Sequence, residues 1–169
     1  MNRQTFGHTR ALAIACVVAL GAAVAPAQAT SGNHSAPGIA GTWRMVVTTF
    51  NCDTLVANPS FTSYLTFGAD GSLIETTSSP LFQPGQRSAG HGFWQRTGRN
   101  FYRAVSEAFI QFTTVPPLPP LARGRQRIDQ GIQMTGRDSI VIDATTTFFN
   151  VAGEVVTTGC ARAVGERLE

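Results

Sequence analysis

SFTSYLTFGADGSLIETT, residues Ser60 to Thr77, has the form of a β-hairpin. Two short runs rich in Thr, Phe, Tyr and Ile flank Gly68-Ala69-Asp70-Gly71. Glycine supplies the positive φ that a tight turn needs, and Asp tolerates it. The flanks are too short for helices and carry the residue types that suit strands.

The same pattern repeats outward in both directions. Thr97-Gly98-Arg99-Asn100 and Gly136-Arg137-Asp138 are further tight turns. The runs between turn residues are Thr42–Phe50, Ser60–Phe67, Ser72–Thr77, Gly90–Arg96, Phe101–Phe112, Gly124–Thr135, Ser139–Phe149 and Glu154–Val164. None holds a helical period, so the domain reads as all-β. The tight turns join runs two to three, four to five and six to seven. The longer connections are Asn51 to Pro59, Ser78 to Ala89, and Thr113 to Arg123 with its Pro116-Pro117-Leu118-Pro119-Pro120 core. In a meander, alternate connections lie at opposite ends. The tight turns therefore fall at one end and the long loops at the other, as in a cup with a stitched base and a loop-rich rim. Eight strands close into a barrel that is filled by side chains or holds one small ligand, and closure removes exposed edges. A two-sheet sandwich competes, but it would use longer crossovers, and none follows Arg123. The expectation is an eight-stranded antiparallel up-and-down β-barrel over residues 41–169.

Residues 1–29 read as a cleavable signal peptide. Arg3 and Arg10 give a basic start, Ala11 to Ala25 an uncharged apolar run, and Ala27-Gln28-Ala29 a small-x-small end. The apolar run is shorter than the ~20 residues that span a bilayer. An exported protein, periplasmic or extracellular, is expected. Thr30 to Ala40, rich in Gly, Ser, Ala and Pro, reads as a flexible leader. Cleavage leaves about 140 of the 169 residues, enough for one core. It also leaves 11 Arg against 10 acidic residues, so nucleic acid is not an expected partner. The chain has no Lys, which excludes a lysine Schiff base and a lysine general base.

Cys16 falls inside the signal, and Cys52 and Cys160 remain. An even pair in an exported chain reads as a disulfide. The loop it closes would be credited with roughly 4–5 kcal/mol by the chain-entropy model. In a closed barrel, however, Cys160 sits far down the last strand while Cys52 lies at the rim. The bond needs Cα atoms within about 7 Å. Either the hairpin around Val151 to Glu154 projects beyond the rim, or the loop after Cys52 folds back.

Gly41-Thr42-Trp43 opens the first run, and Arg162 lies on the last. This resembles the lipocalin and wider calycin pattern, in which a Gly-x-Trp starts the barrel. The resemblance implies a lipocalin-like fold with Trp43 plugging the closed end and Arg162 packed over its ring, a cation on an aromatic face. By analogy it implies a ligand in the cup. Calycin-like barrels also house cyclases and isomerases, which makes a cavity enzyme the alternative.

Candidate chemistry is sparse. His91 is the one histidine in the barrel, since His8 leaves with the signal and His34 lies in the leader. No metal site is expected, because Cys52, Cys160 and His91 lack the close spacing of zinc ligands. No cofactor is expected, and no Gly-x-Ser-x-Gly elbow marks a hydrolase. On the fifth run Tyr102, Ala104, Ser106, Ala108 and Ile110 form the better interior face, and Arg103, Glu107 and Gln111 the other. His91 and Phe93 share a face of the fourth run. Pairing Arg96 with Phe101 sets His91 opposite Ser106, whereas a bulged turn pairs Trp94 with Tyr102. With the faces reversed, Glu107 becomes a buried acid. Arg123, Arg125 and Arg127 form a small basic patch, read as a solvated strand face. Ligand contacts are expected from Phe61, Leu65, His91, Phe93, Tyr102 and Ser106. An enzyme would use His91, Tyr102 and Glu107.

The leading expectation is an exported barrel that holds a small apolar or amphipathic molecule at its loop-rich end. The alternatives are the cavity enzyme and a structural or interaction barrel without a ligand. In the last, the stiff proline segment 113–123 would meet a protein partner at little entropic cost. Stable membrane insertion is not expected, because many runs place Arg, Glu or Gln on the outer face.

Overall fold

Eight antiparallel strands follow one another around a closed barrel in chain order. They are β1 (Gly41–Phe50), β2 (Phe61–Phe67), β3 (Ser72–Thr77), β4 (Gly90–Arg96), β5 (Phe101–Ile110), β6 (Gly124–Met134), β7 (Ser139–Asn150) and β8 (Val155–Arg167). The computed structural model describes residues 38–115 and 120–168. The expected signal peptide, the leader up to residue 37 and residues 116–119 of the proline segment lie outside the described residues. The architecture is the up-and-down barrel read from the turns, and it is compatible with a lipocalin-like fold. β8 differs most from expectation, continuing past Val164 to Arg167 to pair with the start of β1, Trp43 opposite Arg167.

The three tight turns close the base. In the first, Gly71 takes a φ of 89°, and its amide donates to the Gly68 carbonyl at 3.1 Å. The Asp70 carboxylate accepts from the Ser72 amide at 3.0 Å and the Ser72 hydroxyl at 2.6 Å. These bonds hold the Asp70 carboxyl below its usual pKa, the hydroxyl contributing most. The Trp94 indole donates to the Gly68 carbonyl at 2.9 Å, tying this turn to β4.

Inside the base, the period-two faces of the strands converge on one apolar floor. Trp43, Met45, Phe67, Leu73, Ile132 and Ile140 are buried there. Each large apolar side chain removed from water contributes about 1.5–3 kcal/mol. Trp43 is completely buried, and its indole donates to the Ile39 carbonyl at 2.8 Å. Ile39 is itself fully buried. The end of the expected leader therefore belongs to the fold, because Trp43 needs that carbonyl and the floor needs that side chain.

The arginine over Trp43 is Arg167, its guanidinium carbon 4.3 Å from the ring centroid. It also donates to the Ala40 and Gly38 carbonyls at 2.5 and 2.8 Å and pairs with Asp138 at 3.1 Å. Arg162 does not occupy this position. Its parity on β8 points it outward, where it pairs with Asp143 at 2.8 Å in solvent. The resemblance supplied the right type of contact with the wrong residue, because the last run was read as ending at Val164.

At the rim, Cys52 and Cys160 form a disulfide with Cα atoms 5.2 Å apart. β1 ends at Phe50, directly opposite Cys160. Residues 155–159 of β8 run on past that end with β7 as their neighbour. At about 3.3 Å per residue, they carry the hairpin roughly 17 Å above it. The projecting hairpin is thus what brings the two cysteines level. Its tip is fixed by Asn150, whose side-chain oxygen accepts from the Ala152 and Glu154 amides at 2.9 and 3.0 Å.

Candidate functional site

Above the floor the barrel is not filled. A cavity of about 330 Å³ opens toward the loop-rich end, near the lower end of the ~300–1,000 Å³ of small-molecule sites. Met45, Leu65, Ile142 and Ala163 form its bottom. Phe61, Leu81, Phe82 and Phe148 stand at its mouth. Its exposed surface is mostly apolar. The space follows from small residues on the inner strand faces. Ala144, Ala161 and Ala163 supply little volume on β7 and β8. On β4, the residues sharing the inward face of Trp94 are Gly90 and Gly92.

A polar group interrupts this lining. Glu75, on the inward face of β3, pairs with the Arg87 guanidinium, and both side chains are almost wholly buried at 6% and 4% exposure. Gly90 makes the room: a Cβ there would sit 2.6 Å from the Glu75 carboxylate. Arg87 also donates to the Gln126 side-chain oxygen on β6 and to the Ser88 carbonyl. The Phe82 ring lies 5.6 Å from its guanidinium carbon. Gln130, two steps of the β6 alternation closer to the floor than Gln126, is 6% exposed and lines the same cavity. Its amide makes no hydrogen bond to another described residue.

Arg87 comes from the β3–β4 connection, which folds into the mouth. Neighbouring Gln86 is fully buried, and its amide donates to the Phe112 carbonyl and the Thr114 hydroxyl, both at 2.9 Å. Gln86 also accepts from the Gln83 amide at 3.0 Å. One connection thus packs on the next and delivers a cation to the barrel wall.

The expected site residues separate into three groups. Phe61 and Leu65 line the cavity. Tyr102 and Ser106 point inward and are buried but do not line it. Tyr102 packs against Trp94 in the base, ring centroids 5.7 Å apart. The Ser106 hydroxyl is buried without a partner among the described residues. His91 and Phe93 lie on the outer wall and are exposed. The register explains the error: Gly92 opposes Ser106, and His91 opposes Glu107. Neither pairing considered from the sequence occurs. Trp94 takes the inward position at the base and turns His91 and Phe93 outward by parity.

Glu107 is likewise outside, with Arg125 at 2.8 Å and Arg127 at 3.8 Å. The three residues expected of an enzyme therefore do not meet in one pocket. Two arginines of the basic patch, Arg125 and Arg127, are paired with carboxylates locally. Arg127 makes paired hydrogen bonds to Asp129 at 2.9 and 3.0 Å, which raise its pKa. Arg125 stacks on Phe149 at 3.8 Å.

Sequence reasoning missed Glu75, Arg87, Gln126 and Gln130. Parity carried from the Gly68–Gly71 turn places Glu75 inward beside Leu73. No local pattern marks Arg87. The chain matches no protein-family model and no curated protein.

Proposed function

We propose that this protein is an exported binding barrel of the lipocalin-like kind, which holds a small, mainly apolar molecule in the cavity between its floor and its loop-rich mouth. The observation that carries this reading is the cavity itself, about 330 Å³ in a barrel whose base is packed solid. A barrel needed only as a scaffold gains by filling such space, because each lost apolar contact lowers stability. The signal-like leader and the disulfide support an oxidising, exported setting. The Gly-x-Trp start with an arginine over the ring supports the lipocalin likeness. The cavity enzyme lacks support, because His91 and Glu107 face solvent and Tyr102 lies in the base.

The test is titration with phenylnaphthylamine, an uncharged apolar fluorophore, together with native mass spectrometry of the purified protein for retained small molecules. Binding is expected in the wild type. It is expected to vanish in Ala144→Phe, which fills the cavity and leaves the floor intact. Absence of binding in the wild type, or equal binding by a folded Ala144→Phe, overturns the reading.

A further inference from the structure

The cavity's charge is already balanced from within. Glu75 and Arg87 are the charged side chains among the described residues that line it, and they pair with each other. A ligand carrying a net charge would bring an uncompensated ion into this buried space, which is costly. Gln130 supplies a complementary signal. Gln130, 6% exposed as a residue, lines the cavity, and its amide, without a hydrogen bond to another described residue, carries both donors and an acceptor. Such a group matches a hydroxyl or amide, which also donates and accepts.

From these observations we infer that the cavity selects an uncharged amphiphile: a short apolar body with one hydroxyl- or amide-type group directed at Gln130, in preference to the carboxylic acid or amine of the same length. The inference rests on the binding reading above and specifies its ligand class. Selectivity resides in the ion pair. Removing Glu75's charge leaves Arg87 without its counter-ion, and the cavity then favours an anion. Removing Arg87's charge makes it favour a cation.

The experiment compares octanol, octanoate and octylammonium at neutral pH by isothermal titration calorimetry and by displacement of phenylnaphthylamine. Wild type is expected to bind octanol at least about ten-fold more tightly than either ion. Glu75→Gln is expected to move octanoate to first place, Arg87→Gln to move octylammonium there, and Gln130→Leu to weaken octanol several-fold. Glutamine at position 75 or 87 keeps hydrogen-bonding capacity toward its neighbour, and each variant is checked for its β-sheet circular dichroism. If one of these variants does not fold, the wild-type ladder and the two remaining variants decide. Equal binding of the three compounds, or preference of the wild type for an ion, overturns the inference and leaves the binding reading standing. So does failure of all three when phenylnaphthylamine still binds. Failure of the fluorophore as well overturns both.

Discussion

Removing one member of the Glu75–Arg87 pair should cost far more than removing both. The side chains are 6% and 4% exposed, so each ion depends on its partner rather than on water. Stranding one member of a buried pair costs about 3–5 kcal/mol, whereas replacing both by apolar groups of similar size is often neutral or stabilising. The two single variants should also differ. In Glu75→Leu, Arg87 keeps the Gln126 oxygen, the Ser88 carbonyl and the Phe82 ring, so the loss should fall near 3 kcal/mol. In Arg87→Met, the Glu75 carboxylate keeps no other hydrogen-bond donor among the described residues, so the loss should fall near 5 kcal/mol. Urea denaturation provides the measurement. At an m-value near 2 kcal/mol/M, the singles should lower the midpoint by about 1.5 and 2.5 M. Glu75→Leu/Arg87→Met should return to within about 0.5 M of wild type. A double variant that loses the sum of the singles would refute the reasoning, since it would show two independent sites instead of one coupled pair.

Three further outcomes test other parts of the molecule. Reducing Cys52–Cys160, a separation of 108 residues, should lower stability by roughly 4–5 kcal/mol; a urea midpoint unchanged by reductant would contradict this. Arg167→Met should destabilise by about 1–2 kcal/mol through the lost contact with Trp43, while Arg162→Met should change stability by no more than about 0.5 kcal/mol; equal thermal shifts would restore Arg162 to the place over the ring. The lowered Asp70 pKa means that its stabilising effect is complete above the unfolded value of 3.8 and is lost as the pH falls through the lower folded value. Asp70→Asn should therefore remove part of the acid sensitivity below about pH 4, visible as a smaller stability difference between wild type and variant at pH 2 than at pH 6.

The fold was legible because its determinants are local. Gly68 to Gly71, Thr97 to Asn100 and Gly136 to Asp138 each announce a turn within four residues, and their spacing fixes which connections share an end. Trp43 at the floor came from the resemblance of the Gly-x-Trp start, and the turn layout puts it at the same end. The wall of the cavity was less legible because it depends on parity. A shift of one residue between β4 and β5 exchanges His91 for Gly92 opposite Ser106, and no composition distinguishes the two. Phe93 looked inward because it is apolar, yet Trp94 satisfies the base and claims that face. Extending the eighth run by three residues would have replaced Arg162 with Arg167.

Arg87 was illegible for a different reason: it reaches the site from a connection whose path depends on contacts made far along the chain. Gln86 is held by the Phe112 carbonyl and the Thr114 hydroxyl, and that anchorage aims its neighbour at Glu75. Wall polarity and the closure of the mouth are therefore one structural feature. A ligand that competes for Glu75 must dislodge Arg87, and with it the segment that carries Phe82 and Gln86. A ligand that satisfies Gln130 alone leaves this arrangement in place and needs no opening of the connection. On the proposed reading the contacts that hold the mouth in shape would also disfavour a charged guest, so loosening Gln86 by substitution with Ala should relax charge selectivity along with the order of the loop, detectable as faster amide exchange over residues 78–89 and a narrower gap between octanol and octanoate.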